Sequence, residues 1–440
     1  MSFRFLHLAD LHLDSAYGGR ACTRARLRAA TFEALERAAS FAISDRLDAV
    51  LIAGDAYDDD RLGYDARTIL RRELRRLGEA SIQVVVATGN HDPGGTTFAA
   101  PRLGLDRIPN VHVALTPTQR TVTIERDGAA LAHIVACGHA DARTTDDLAS
   151  RMTPVPDGAP SVALLHTQVA SARGADGHAP YAPSSPHQLT SAGFAYWALG
   201  HVHVRGRAAP EAPAWYCGNL QGRNPRETGP KGGLVVEVDR DGLVREPTFI
   251  PFAPVEFLQC ELTRAVGDDP ESIAAAVADA LPSLLATRDA PVGPEEIVLR
   301  VALRGPRGQD VGAALEDPPR RATLEEATLE ELRALRPEIQ LLELELRAGP
   351  AVAVGSEAAA AHANALERAP SALREAIRLA RALANDAALV DDLDVDWSIS
   401  TASTAEERRL RAGELARGLA EELLQRTQRS ALPGGRGDPR

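Results

Sequence analysis

Five short stretches of this 440-residue chain carry side chains able to bind cations. They are Asp10 and His12 in "ADLH", Asp55 in "AGDAYD", Asn90 and His91 in "TGNHD", His166 closing "SVALLH", and His201 and His203 in "LGHVH". Each follows a run of β-forming residues. Where two of them are spaced by two, strand alternation sends both side chains the same way, so Asp10 with His12, and His201 with His203, can share an ion. A lone strand-end histidine is ordinarily structural, but five such sets in one chain are a different matter. Even with His91 set aside, two carboxylates, one amide and four imidazoles exceed what one ion takes. Mixed O and N donors suit Mn²⁺, Fe²⁺ or Zn²⁺. Cys22, Cys137, Cys217 and Cys260 are scattered without a C-x-x-C pair, which argues against a thiolate zinc site or a disulfide framework.

The elements that must position these side chains read as α/β. Residues 3–9 form a β-type run, 24–44 place apolar residues at helical spacing, and 48–53 is a buried-strand run. The pattern repeats with an Arg-rich helix over 64–79 and a strand over 82–87, predicting helices on both faces of a sheet. Later strands, near 111–114, 120–125, 131–136, 161–165, 195–199, 214–216 and 233–238, lie closer together and predict a mixed sheet. Pro punctuation in "PFAPVEF" (251–257) marks a domain boundary. Beyond it, strands at 257–262, 296–303 and 339–346 and helices at 270–285 and 323–335 predict a small α+β unit over 253–350. A helical region follows over 351–430, with a disordered tail over 431–440.

The net charge of −12 is unevenly placed: residues 1–250 carry 27 basic and 28 acidic groups, and the remainder 22 and 33. Lys231 is the sole lysine. An acidic second half gives no compositional support for nucleic-acid binding, although an Arg-rich neutral half can present a local basic surface. No apolar run reaches a membrane-spanning length and no leader pattern is visible, so a cytoplasmic location is expected.

Taken in order, D-x-H, G-D-x-x-D, G-N-H-D, a lone His and G-H-x-H resemble the calcineurin-like metallophosphoesterase superfamily over residues 1 to about 250. The resemblance implies a mixed β-sheet sandwich flanked by helices that holds two divalent metal ions, Mn²⁺ foremost. Asp10, His12 and His203 would bind one metal, Asn90, His166 and His201 the other, and Asp55 both. His91 would act on the scissile phosphate as the catalytic residue. Asp58 and Asp92 read as groups orienting imidazoles. A bound metal pair would activate water for in-line displacement at phosphorus.

"HLADLHLDSAY" and "YCGNLQGRNPRETGPKGG" (216–233) are further similar to SbcD-type DNA repair exonucleases, in particular their YhaO-like branch. That implies a DNA exonuclease in double-strand-break repair, a DNA-capping second domain, a homodimer, and an SMC-type coiled-coil ATPase partner docked on the C-terminal helices. Within the Gly-rich loop, Asn219, Arg223 and Arg226 are the candidate substrate-binding residues, able to offer guanidinium forks to phosphate. His178, Tyr181 and His187 lie in a Pro- and Gly-rich stretch expected at the same rim. The cluster Arg71, Arg72, Arg75 and Arg76 reads as a solvated helix face. Many repair nucleases of the family carry a histidine where Asp58 stands here. Two alternatives stay open: a phosphomonoesterase or small-molecule phosphodiesterase, and a DNA-end-binding scaffold subunit of the ATPase.

Overall fold

The computed structural model describes residues 2–58, 62–96, 99–175, 179–288 and 294–349. The expected helical region over 351–430 and the tail over 431–440 lie outside them.

Alternation along the first strands builds two cores at once. In β1 (Phe3–Leu8), Phe3 and Phe5 face one side and Leu6 and Leu8 the other. β2 (Ala49–Ala53) does the same with Leu51 and with Val50 and Ile52. The Leu6 side packs under α1 (Ala21–Ser44) and α2 (Tyr64–Glu79). β3 (Gln83–Ala87), the short α3 (Ala99–Leu103) and β4 (Val111–Ala114) complete this α/β half.

The chain then turns to a second sheet through β5 (Arg120–Arg126), β6 (Ala129–Cys137) and β7 (Ser161–His166). The short α4 (Pro186–Ser191), opened by a Ser185–Gln188 capping box with Pro186 at its first position, leads to β8 (Tyr196–Gly200). After β9 (Gly206–Arg207) and β10 (Ala214–Tyr216) the chain returns through β11 (Gly232–Val238) and β12 (Thr248–Pro251).

The sheet orders are β12-β11-β1-β2-β3-β4 and β5-β6-β7-β8-β10-β9. In each, four parallel strands are bordered by antiparallel ones. Phe5, Leu51 and Val85 of the first sheet meet Ile134, Leu164 and Tyr196 of the second in a shared core. Here the structure corrects the sequence reading. α1 and α2 cover only one face of the first sheet, because the second sheet occupies the other.

β13 (Val255–Leu262), α5 (Pro270–Ala286), β14 (Glu296–Leu303), α6 (Gln309–Glu316), α7 (Pro318–Leu335) and β15 (Gln340–Ala348) form a three-stranded sheet. All its pairings are parallel, as the strand–helix alternation favours. Ile273, Val277 and Leu332 from its helices pack on Leu299 and Leu344. Val255, Phe257 and Val298 bury against Tyr17, Leu27 and Ala30, so the sheet's other face meets α1. Arg26 donates to Glu296 through Nε at 2.8 and 2.9 Å, and Arg37 to Glu295 at 2.5 Å, across the same contact.

The Arg-rich face of α2 is paired rather than simply solvated. Arg72 and Arg76 both bond the fully buried Glu73, Arg72 also reaches Glu36 of α1, and Arg71 donates to the Leu103 carbonyl. Among the described residues, no helix is long and apolar enough to cross a membrane.

Candidate metal centre

The candidate ligands leave the carboxyl ends of parallel strands from both sheets: Asp10 after β1, Asp55 after β2, Asn90 after β3, His166 closing β7, and His201 after β8. Open parallel sheets bind ligands at that end. The backbone there is strained. Asp10 (φ 51°), His12 (φ 44°), Asp55 (φ 52°) and His201 (φ 104°) all lie in the left-handed region, at a cost of about 1–3 kcal/mol each. Crossed hydrogen bonds hold them. Asp10 N donates to Gly54 O at 3.1 Å, His12 N to Asp55 O at 2.9 Å, and His201 N to both Asp10 carboxylate oxygens at 3.1 Å. Gly54 (φ 85°) has no tolerable replacement, since a Cβ there would sit 2.4 Å from His166 Nδ1.

Each ring then has one nitrogen tethered and the other turned toward the neighbouring candidate ligands. His166 Nδ1 donates to Ala53 O at 2.8 Å, leaving Nε2 3.0 Å from Asn90 Oδ1 and 3.4 Å from Asp55 Oδ2. His201 Nε2 donates to Ala179 O at 2.8 Å, leaving Nδ1 3.2 Å from the same Asn90 Oδ1. On the other side His12 Nδ1 is tethered to Asp58 Oδ1 (2.8 Å) and His203 Nδ1 to Glu227 Oε1 (3.0 Å). The two remaining Nε2 atoms stand 3.3 Å apart, with His12 Nε2 3.8 Å from Asp55 Oδ2 and His203 Nε2 3.7 Å from Asp10 Oδ1. Asp10, His12 and His203 thus converge on one side, Asn90, His166 and His201 on the other, and Asp55 reaches both. Lone pairs turned on one another at these separations are what a cation relieves, and the donor set fits two divalent ions.

The electrostatics point the same way. Burial alone would lower the His166 pKa, but the Asp55 and Asp10 carboxylates raise it to about 9. Burial would likewise raise Asp55, yet His166 and His12 hold it well below the usual carboxylate range. Carboxylates that make a buried imidazole cationic form a pocket demanding positive charge. His12 behaves oppositely: burial, with Arg223 adding to it, brings it down to about 3, so its Nε2 keeps its lone pair.

His91 lies against the candidate ligand His12, their ring centroids 4.9 Å apart, and shares Asp58 with it. Its ring is half exposed, Nδ1 lies 3.2 Å from Asp58 Oδ1, and its backbone N donates to Asp55 Oδ1 at 2.8 Å. The hydrogen bond to Asp58 raises its pKa. Asp58 therefore meets two imidazoles, as the sequence reading expects. Asp92 does not: its carboxylate gathers the backbone N–H groups of Gly89 (2.6 Å), Ala56 (2.7 Å) and Asp55 (3.1 Å), tying two ligand loops together.

The loop assigned to substrate divides as well. Arg223 and Arg226 line a cleft beside His203. Asn219 is fully buried and donates to Gln221 O (2.8 Å) and Glu227 Oε2 (2.6 Å), so it shapes the loop instead of facing a ligand. Tyr181 packs against the His201 ring, His187 is exposed on α4, and His178 lies outside the described residues. Sequence reasoning missed Glu227 and His139. The latter's Nε2 lies 2.7 Å from the His166 carbonyl. No strand end or ligand spacing marks Glu227, whereas His139 follows β6 by two residues, a strand-end signal that was passed over.

Comparison with known proteins agrees with this geometry. Residues 3–205 match the family described as calcineurin-like phosphoesterase. The chain is 32% identical over 239 residues to the uncharacterized metallophosphoesterase YhaO of Bacillus subtilis (strain 168), covering 53% of this chain and 57% of that one. It is 26% identical over 205 residues to the DNA double-strand break repair protein Mre11 of Sulfurisphaera tokodaii, covering 46% and 49%. With the protein of the same name from Aeropyrum pernix it shares 28% over 275 residues, covering 57% and 62%. The chain spans about half to three fifths of the length of these relatives.

Proposed function

With residues 3–205 a calcineurin-like metallophosphoesterase domain, we propose that this hydrolase is a dinuclear phosphodiesterase that cuts DNA at its ends, as an exonuclease of double-strand-break repair. Asp10, His12 and His203 would hold one divalent cation, Asn90, His166 and His201 the second, and Asp55 both. Such a pair supplies Lewis-acid polarisation of a phosphoryl oxygen and a more acidic water, with Mn²⁺ the proposed ion. His91, on the open side with its pKa raised by Asp58, donates a proton to the departing oxygen. The tether from Asp58 Oδ1 to His12 Nδ1 keeps that ring aimed at the cation site.

The observation that carries the DNA reading is a cleft of about 1510 Å³ opening from His203. Eight of its lining side chains are Arg or Lys against two Glu, in a chain of net charge −12. Arg205, Arg223 and Arg226 come from the phosphoesterase half, and Arg288, Arg300 and Arg347 from the three-stranded unit. Some of this charge is offset locally, Arg300 by Glu345 and Arg288 by Glu256, yet the surplus is positive. A cleft of that volume and sign suits a polyanionic backbone better than one small phosphate. Relatives named for DNA double-strand break repair support the same substrate. A homodimer and a coiled-coil ATPase partner belong to this proposal.

Fluorescence anisotropy with labelled linear DNA across a salt series tests it. Affinity should fall linearly with log salt, and Arg226→Ala should weaken binding to all sequences alike while reducing the slope by about 1. Binding indifferent to salt and to Arg226 would remove the cleft from the account.

A further inference from the structure

The loop from Cys217 to Lys231 closes on a single carboxylate. Glu227 is largely buried, its side chain 14% exposed. Its Oε1 accepts from His203 Nδ1 at 3.0 Å and Asn224 Nδ2 at 2.8 Å, while Oε2 accepts from Asn219 Nδ2 at 2.6 Å and the Arg223 backbone N at 2.8 Å. Lys231 Nζ donates to the His203 carbonyl at 3.1 Å, anchoring the far end of the loop to the same residue. At its near end Gly218 (φ 77°) presses so close that a Cβ would lie 3.0 Å from the His203 carbonyl oxygen.

We infer that Glu227 is a positioning residue that couples the phosphate-facing loop to the metal centre through His203. One oxygen fixes the His203 tautomer and ring, so that Nε2 faces Asp10 and His12; the other fixes the backbone that presents Arg223. A carboxylate bonded to the second nitrogen of a liganding imidazole strengthens it as a ligand and orients it. Here the same carboxylate also orders the loop, so metal occupancy and loop order are thermodynamically linked and each must favour the other. The inference rests on the reading of His203 as a metal ligand, and is independent of the substrate.

The test needs no substrate. Mn²⁺ binding by calorimetry, and amide hydrogen exchange of residues 217–231 with and without Mn²⁺, are measured on the wild-type chain, Glu227→Ala and Glu227→Gln. Thermal unfolding in chelator checks that each folds. In the wild type, Mn²⁺ should slow exchange in the loop. Glu227→Ala should lose about 10–100-fold in affinity at one of two sites, and Mn²⁺ should no longer protect the loop. Glu227→Gln keeps an acceptor for His203 but turns an NH₂ toward Asn219 and Arg223, and should lose about fivefold as a charge-assisted bond becomes neutral. That variant carries the test if the alanine variant does not fold. Wild-type affinity and wild-type loop protection in a folded variant would overturn the inference. A wild-type chain that takes up no Mn²⁺ would overturn the metal reading beneath it. Loss of metal coupling with no action on DNA would leave this inference standing and contradict only the nuclease proposal.

Discussion

Asp58 shows how much one side chain settles at this site. Its Oδ1 lies 2.8 Å from His12 Nδ1 and 3.2 Å from His91 Nδ1, and Ser15 Oγ donates to its Oδ2 at 2.7 Å. Burial would raise this carboxyl, but those bonds hold it well below the ordinary range, so it remains charged. Asp58→Asn should therefore have two effects. Metal affinity should fall by about 10–100-fold as His12 loses its charged tether. Because Asp58 raises the His91 pKa and a general acid works only while protonated, the alkaline fall in hydrolysis should move to lower pH in the variant. A pH–rate profile at saturating Mn²⁺ checks this, and an unmoved alkaline limb would take His91 out of the acid's role. At this scale the candidate ligand positions were legible because each closes a strand of β-formers or follows one within four residues. Glu227 was not, since its contact with His203 is made by a loop whose path is set by Gly218 and Lys231. Asp92 was misread because its neighbours in sequence are ligands, while its partners are three backbone N–H groups.

At the scale of elements, His7 joins the two sheets. It leaves β1 between Tyr196 Oη (3.1 Å from Nδ1) and the Leu199 carbonyl (3.1 Å from Nε2) of β8. Burial lowers its pKa to about 3, against an ordinary value of 6.5. The unfolded chain then binds a proton below about pH 6.5 that the folded chain refuses until about pH 3, so stability is lost as pH falls through that window. His7→Gln should flatten the dependence of unfolding free energy on pH by about 1.4 kcal/mol per pH unit between about pH 4 and 6. Denaturant unfolding in chelator measures it, and parallel curves for variant and wild type would contradict it.

Long elements with a clear period were readable: α2 runs over Tyr64–Glu79 as its spacing predicts. Short ones were read unevenly: β4 and β10 were found, whereas β9, β12 and α6 were not. β9 has 2 residues and β12 has 4, too few to establish a period, and α6 spans 8 with Gly312 in it. The helix expected over 323–335 begins five residues earlier, because Pro318 and Pro319 open α7, where their missing N–H groups cost nothing.

The whole molecule resolves a conflict left by composition. A second half carrying 22 basic and 33 acidic groups seemed ill suited to hold a polyanion. Among the described residues the fold separates such charges: Arg288, Arg300 and Arg347 face the cleft, whereas Glu295 and Glu296 turn to Arg37 and Arg26 of α1. No count along the chain could show this, because it depends on which face of the three-stranded sheet meets α1. The result is a cationic groove leading to a pocket of carboxylates and imidazoles that itself demands cations.

The central claim, a two-metal site acting on DNA phosphodiesters with His91 as acid, is tested most directly by Mn²⁺-dependent digestion of end-labelled linear single- and double-stranded DNA. A p-nitrophenyl phosphodiester serves as the small comparison substrate, and His91→Ala as the variant. The account predicts release of nucleotides from DNA ends that stops on chelation, and that falls by about 10²–10⁴-fold in His91→Ala while Mn²⁺ binding is retained. Hydrolysis of the small ester with DNA left intact, or DNA digestion unchanged in His91→Ala, would contradict it.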